Sequence, residues 1–381
     1  MSARGSSWVA LGVCLTIGCA GRFPPGWLYV TRVDPTAATI VWTGDAGAGA
    51  TCRATRGVPV TAAGQERGRG LVTARLEALV PDTRYACLVR DAAGRVLHRV
   101  SFRTAPATPD TPVLFTVVGD TGNGGPVARA IARRIRASHP SFLIHVGDLA
   151  YTHGTVAEVG RSFFRPYLET LHRVPLYPTP GNHDLFARSA YRDLFAPVSE
   201  GSGGGYRYHF TWGPAAFVSL SAPEAAAGGD GLAGDFGAAQ AWRIVFLHEP
   251  LYTAGRKRVE PGLRATFGPV VEAAGVDLVL AGHQHFYERS EPSCEFDRAA
   301  RVSHVTTGGG SDASLDPVRA QPNFPRALSV PHFLRVRVSR DRLDVRAVGV
   351  DGRTLDRLRR ERGIDPGCRA QGWPRQRPRR R

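Results

Sequence analysis

Five points along the chain offer side chains that bind cations through oxygen or nitrogen. Asp120 follows the apolar run Val113–Gly119. Asp148 follows Phe142–Gly147. Asn182, His183 and Asp184 follow Pro175–Gly181. His248 closes Ile244–Leu247, and His283 and His285 follow Leu278–Gly282. Carboxylate and amide oxygens and imidazole nitrogens are metal ligands by type. Together they exceed one coordination shell once water takes its share, so two ions fit better than one. A central carboxylate such as Asp148 can bridge them, and ions about 3.5–4 Å apart can clamp both ends of a displacement at phosphorus.

Strands must bring these residues together. Beyond a Pro- and Thr-rich linker, the runs Val113–Val118, Phe142–Val146, Phe217–Leu220, Trp242–Leu247 and Val276–Leu280 are continuously apolar. Helical patterns at Ala128–Ala137, Glu158–His172 and Leu263–Ala274 alternate with them. Strands buried on both faces and alternating with helices predict an α/β layered domain. In open α/β sheets the carboxyl ends of strands form the ligand crevice. Glycine precedes the polar residue in four of the five cases, which permits a sharp turn and a close approach. Alternating runs near 333–338 and 343–350 predict an edge hairpin. Ahead of the linker, short alternating runs between Trp27 and Phe102, separated by turn residues, predict an all-β sandwich.

The ordered set Gly119-Asp120, Gly147-Asp148-Leu149-Ala150-Tyr151, Gly181-Asn182-His183-Asp184, Val245-Phe246-Leu247-His248 and Gly282-His283-Gln284-His285 resembles the calcineurin-like metallophosphoesterases. With the front sandwich, the chain is similar to bacterial relatives of the purple acid phosphatases. Leu79–Tyr85 resembles a late turn of that family's fibronectin-III-like domain. Composition and resemblance together give this division: 1–19 a signal peptide, 24–106 a fibronectin-III-like sandwich, 107–112 a linker, 113–352 the metallophosphoesterase domain and 353–381 a basic Arg/Pro-rich tail.

Carried over motif by motif, one ion takes Asp120, Asp148, Tyr151 and His285. The second shares Asp148 and adds Asn182, His248 and His283. In the family the tyrosinate selects Fe(III), and the second ion is Fe(II), Zn or Mn. The implied reaction is hydrolysis of a small phosphate monoester, with hydroxide held by the ions attacking phosphorus. His183 would contact a phosphoryl oxygen or protonate the leaving alkoxide; Asp184 would orient it or serve only as loop polarity. The alternatives are a phosphodiesterase or nucleotide hydrolase with the same metal loops, and a non-enzymatic surface-binding protein.

The chain departs from the family where relatives often carry a histidine nine residues after the strand-ending His. Here stands Lys257, the sole lysine, flanked by Arg256 and Arg258. These three cations would grip phosphate or a second anionic group but do not offer a near-neutral acid. A second departure lies at Ala225–Gly237, where the family's helix looks shortened or replaced by a loop. The glycine-rich stretch 200–205 reads as a rim of the site.

The remaining features concern place rather than chemistry. Arg4 and the apolar run Trp8–Ile17 read as an export signal, too short to span a bilayer. Thr16-Ile17-Gly18-Cys19 resembles a lipobox, implying membrane attachment through lipid on Cys19; cleavage near Ala20 is the alternative. Either way the expected location is the bacterial envelope or outside the cell. Cys52 and Cys87 fall in one domain, and Cys294 with Cys368 would tie the tail to the other; free thiols are the alternative. The formal charge of +16 is concentrated toward the C-terminus, yet no nucleic-acid module accompanies it.

Overall fold

The computed structural model describes residues 21–374, apart from 56, 187–188, 201–205, 312–314 and 319–320. The signal segment with Cys19, the run 375–381 and most of the 200–205 rim lie outside the described residues.

The front domain is a sandwich of two antiparallel sheets. One orders Leu28–Thr31, Ala38–Thr43, Leu71–Leu76 and Gln65–Glu66; the other orders Val60–Ala63, Gly49–Ala54, Arg84–Arg90 and Val96–Arg103. Alternation drives this packing: Tyr85, Cys87 and Val89 face the core while Arg84, Ala86 and Arg90 face out. Cys52 and Cys87 stand opposite each other in the ladder and form a disulfide.

Two larger sheets build the second domain. In the first, Leu176–Pro178, Leu143–His145 and Val113–Val118 run parallel, and His332–Val338, Arg342–Gly349 and Thr354–Glu361 extend it antiparallel. In the second, Ala215–Ser219, Trp242–Phe246, Leu278–Ala281 and Ser303–Thr307 run parallel, flanked by Tyr208–Trp212 on one side and by Tyr287–Arg289 and Arg326–Leu328 on the other. Phe115, Phe142 and Phe217 pack between the sheets with ring centroids 5.0–5.4 Å apart.

The two domains share one apolar core. Trp27 stacks on Phe164 at 4.5 Å, Tyr29 Oη donates to the Leu194 carbonyl at 2.7 Å, and the Val33 amide donates to Tyr177 Oη at 3.0 Å. Trp27 meets the helix that the sequence predicts over 158–172. That helix is instead three continuous segments: Val156–Val159, a π-helical stretch Gly160–Phe164, and Arg165–Leu171. A Cβ on Gly160 would come within 2.7 Å of Trp27, so the glycine lets the indole approach.

Three further differences from the sequence reading have local causes. Thr354–Glu361, read as the start of the basic tail, pairs with Arg342–Gly349 as a third strand; its Arg357 and Arg359 pair with Asp344, its buried Arg360 donates to the Arg301 carbonyl, and its Asp356 receives Arg289. The segment Tyr191–Ser199 is a helix despite Pro197 within it. The Gly- and Ala-rich segment 222–237 keeps two short helices, Ala222–Ala226 and Leu232–Asp235, the first started by a Ser221–Glu224 capping box. Among the described residues no helix is long and apolar enough to cross a membrane.

Cys294 and Cys368 are disulfide-bonded across 74 residues, and Trp373 packs on Tyr252. Closing a loop of that length stabilises the fold by about 4 kcal/mol in the chain-entropy account. Replacing Cys368 by serine should therefore lower the denaturant midpoint markedly and expose the segment beyond Glu361 to proteolysis. An unchanged midpoint would show that the bridge contributes nothing to this fold.

Candidate metal centre

Each sequence-identified ligand leaves a strand end. Asp120, Asp148 and His283 adopt left-handed backbone, with φ of +59°, +55° and +69°. Non-glycine residues rarely sit there, and such strain persists where surrounding structure holds it in place. The neighbouring chain crowds the carboxylates. A Cβ on Gly181 would lie 2.0 Å from Asp148 Oδ1, and one on Gly282 would lie 2.6 Å from Asp120 Oδ2.

Donor atoms gather around these two carboxylates. Ligand atoms of Asp120, Asp148 and His248 all lie within 4.8 Å of one another. On one side, His285 Nε2 is 3.2 Å from Asp120 Oδ1 and 2.9 Å from Tyr151 Oη, and Tyr151 Oη is 3.3 Å from Asp120 Oδ1. On the other, His248 Nε2 is 3.4 Å from Asp148 Oδ2, and His283 Nδ1 is 3.0 Å from Asn182 Oδ1. Asp120, Tyr151 and His285 thus lie in mutual contact, Asp148 meets His248, and Asn182 meets His283.

The outer nitrogens set the tautomers. His248 Nδ1 donates to the Val146 carbonyl at 2.7 Å, and His283 Nε2 donates to the Arg258 carbonyl at 2.7 Å. That makes His248 Nε2 and His283 Nδ1 the inward nitrogens, the ones that would bind a cation on losing any proton they carry. His248 Nε2 is buried and makes no hydrogen bond.

Charge completes the picture. Burial works to raise the Asp148 carboxyl, but His248 and the His183 amide outweigh it and hold the group well below the usual carboxylate range. Burial likewise opposes charge on His248, and Asp148 overrides it, lifting the imidazole to about 9. The Tyr151 phenol is pushed well above its ordinary value by burial and then by the Asp120 and Asp148 carboxylates. Two buried carboxylates, an orphaned buried nitrogen and backbone packed tightly round the carboxylates fit bound cations. A cation there would reverse the field on Tyr151 and favour its phenolate.

Residues 113–287 match the family model described as calcineurin-like phosphoesterase. The second domain is a calcineurin-like phosphoesterase domain. The chain is similar to purple acid phosphatase 15 of Arabidopsis thaliana, 27% identical over 62% of this chain and 53% of that protein. It is also similar to human acid phosphatase type 7, 28% identical over 68% of each. The chain thus spans only about half the length of the first of these relatives. Among solved structures, a purple acid phosphatase from yellow lupin seeds shares the fold with a TM-score of 0.72 at 16% identity, over 88% of this chain and 74% of that one. PhoD follows at 0.66 and 10% identity, over 91% and 90%.

Around the phosphoesterase ligands, the other predicted residues divide. His183 is half-buried beside Tyr151, the rings 4.9 Å apart, and its Nδ1 donates to the Thr152 carbonyl at 2.6 Å. Asp184 does not orient it, contrary to the sequence expectation. Its buried carboxylate instead accepts from the amides of Gly181 at 2.9 Å and Leu149 at 3.2 Å. It ties the second and third metal loops together, and burial, followed by the Asp148 charge, raises it to about 8.

Lys257 Nζ lies 3.3 Å from Asp316, whose carboxylate also accepts from the His285 amide at 2.7 Å. The lysine therefore stands near His285 with an acid already against it. Arg256 and Arg258 are exposed, and Arg258 reaches the centre through its backbone carbonyl, not its guanidinium. Two positioning residues escaped sequence reasoning. Asp316 lies in a loop with no strand-end pattern. Gln284 sits inside the Gly282–His285 motif and grips Lys257 at both its amide, 3.1 Å, and its carbonyl, 3.0 Å.

The same loop rests on Glu288, which accepts from the Ala254 amide at 2.9 Å and from Thr306 Oγ1 at 3.2 Å. Burial raises its carboxyl to about 7 from 4.5. A raised acid keeps its proton in the folded state, so stability is full below pH 4.5 and falls as pH rises to about 7. Glu288→Gln should remove that slope of about 3 kcal/mol, giving a variant that gains on wild type between those pH values. Parallel pH–stability curves would contradict the assignment.

Proposed function

We propose that the protein hydrolyses small phosphate monoesters with two bound cations. The observation that carries this reading is the cluster of Asp120, Asp148 and His248 ligand atoms within 4.8 Å of one another, with further donors beside it; in this reading two donor groups share Asp148. One comprises Asp120, Tyr151 and His285; the other comprises Asn182, His248 and His283. The names of the purple acid phosphatase relatives support a phosphatase reading. Fe(III) suits the Tyr151 group, and Fe(II), Zn or Mn suits the other. Bound there, the cations would supply Lewis acidity, lowering the pKa of water and offsetting charge that grows on phosphoryl oxygens.

The chain's own residues do the rest. Asp148 serves both groups, and its Oδ1 is held by the His183 amide at 3.0 Å. Thr152 fixes the His183 ring by its Nδ1 proton, so an imidazolium there delivers its Nε2 proton to the departing alkoxide. Lys257 meets a phosphoryl oxygen on the His285 side while Asp316 holds its ammonium in reach.

Export to the bacterial envelope, with lipid on Cys19, belongs to the same proposal. Two disulfides among the described residues support an oxidising compartment.

Asp148→Asn should reduce hydrolysis of 4-nitrophenyl phosphate by at least about a hundredfold, on the scale of altered metal environments, and lower the bound metal. Tyr151→Phe should abolish a visible charge-transfer band in oxidised, iron-loaded protein. Undiminished turnover in the first variant, or a retained band in the second, would overturn these roles.

A further inference from the structure

We propose that Phe186 and His153 form an aromatic platform that selects esters whose leaving alcohol is aromatic. The inference rests on the phosphoesterase reading and names its substrate class. Phe186 is one of the few large apolar side chains left exposed among the described residues, at 46%. Unlike Val58 or Ile364, it stands beside the candidate centre. Its ring centroid is 5.1 Å from that of His153, at an angle of 63°, and 6.0 Å from that of His183. His183 in turn lies edge-on to Tyr151. The series Tyr151, His183, Phe186, His153 thus runs outward from the metal ligands to the surface.

Backbone anchors hold both platform rings. The His153 amide donates to Glu158 Oε2 at 3.2 Å, and the Thr152 amide donates to Glu158 Oε1 at 2.7 Å. Glu158 belongs to the capping box that starts the following helix, so His153 is carried on a fixed turn. Phe186 follows Asp184 by two residues, and Asp184 is locked to both metal loops. The Phe186 carbonyl accepts from the Ser189 amide at 2.9 Å, which closes that turn.

Position gives the function. A phosphoryl group at the ligand cluster, with its ester oxygen at His183, sends the alcohol carbon skeleton past His183. Phe186 and His153 are the rings on that path. An aromatic alcohol gains offset or edge contact with them, whereas a short polyol gains little and covers a water-exposed phenylalanine poorly. The Lys257–Asp316 pair lies on the His285 side of the site.

The test is a substrate ratio. Metal-loaded protein is assayed with phenyl phosphate and glycerol phosphate, and inhibited with phenylphosphonate and methylphosphonate. Phe186→Ala should lower the phenyl-to-glycerol ratio of kcat/KM by about tenfold. It should weaken phenylphosphonate relative to methylphosphonate by a similar factor, and Phe186→Trp should restore both. An unchanged ratio, or an equal loss for both substrates, overturns the platform while leaving the phosphoesterase intact. If wild-type protein hydrolyses neither ester, the phosphoesterase reading fails and the platform falls with it.

Discussion

Two carboxylates, Asp120 and Asp148, are buried within a few ångströms of each other, and the organisation of the second domain follows from that fact. Charges so placed are costly unless they are paired and hydrogen-bonded. Every neighbouring loop answers the cost. The His183 and His283 amides donate to Asp148 Oδ1 and Asp120 Oδ2, and His248 and His285 bring imidazoles to the other oxygen of each carboxylate. Two parallel sheet segments are needed because no single loop could supply donors from so many directions. The strained backbone at Asp120, Asp148 and His283 is the local expression of the same demand.

The supporting residues form a second layer with its own logic. Asp184 clasps the Gly181 and Leu149 amides, Gln284 clasps Lys257, and Asp316 joins His285 to Lys257. Each contact links one metal loop to another or to the basic loop. The centre is therefore held by ties between loops rather than by any single element. The front sandwich joins this frame through Trp27 and Tyr29, which brace the helical segments beneath the centre.

Much of the site was legible in the sequence because its signal is discrete. A glycine followed by an acid, amide or imidazole, repeated at successive strand ends, survives any uncertainty over strand limits. The imidazole pair His283 and His285 and the buried Asp148 could be placed this way. The role of Asp184 could not. Its two partners are backbone amides brought near only by folding, so adjacency to His183 suggested the wrong neighbour. Lys257 and Asp316 stand 59 residues apart in sequence and carry no pattern that joins them. The strand Thr354–Glu361 was hidden by its arginines, which read as a solvated tail, although Asp344 on the neighbouring strand receives Arg357 and Arg359. Helix Tyr191–Ser199 was masked by Pro197, and the π-helical stretch by a periodicity that looked uniformly α.

The central claim is that one carboxylate joins two cation sites. Anomalous diffraction from crystals of metal-loaded protein addresses it directly. The account predicts two peaks about 3.5–4 Å apart, with Asp148 between them, Tyr151 at one and His248 at the other. A single peak, or two that do not share Asp148, would contradict it.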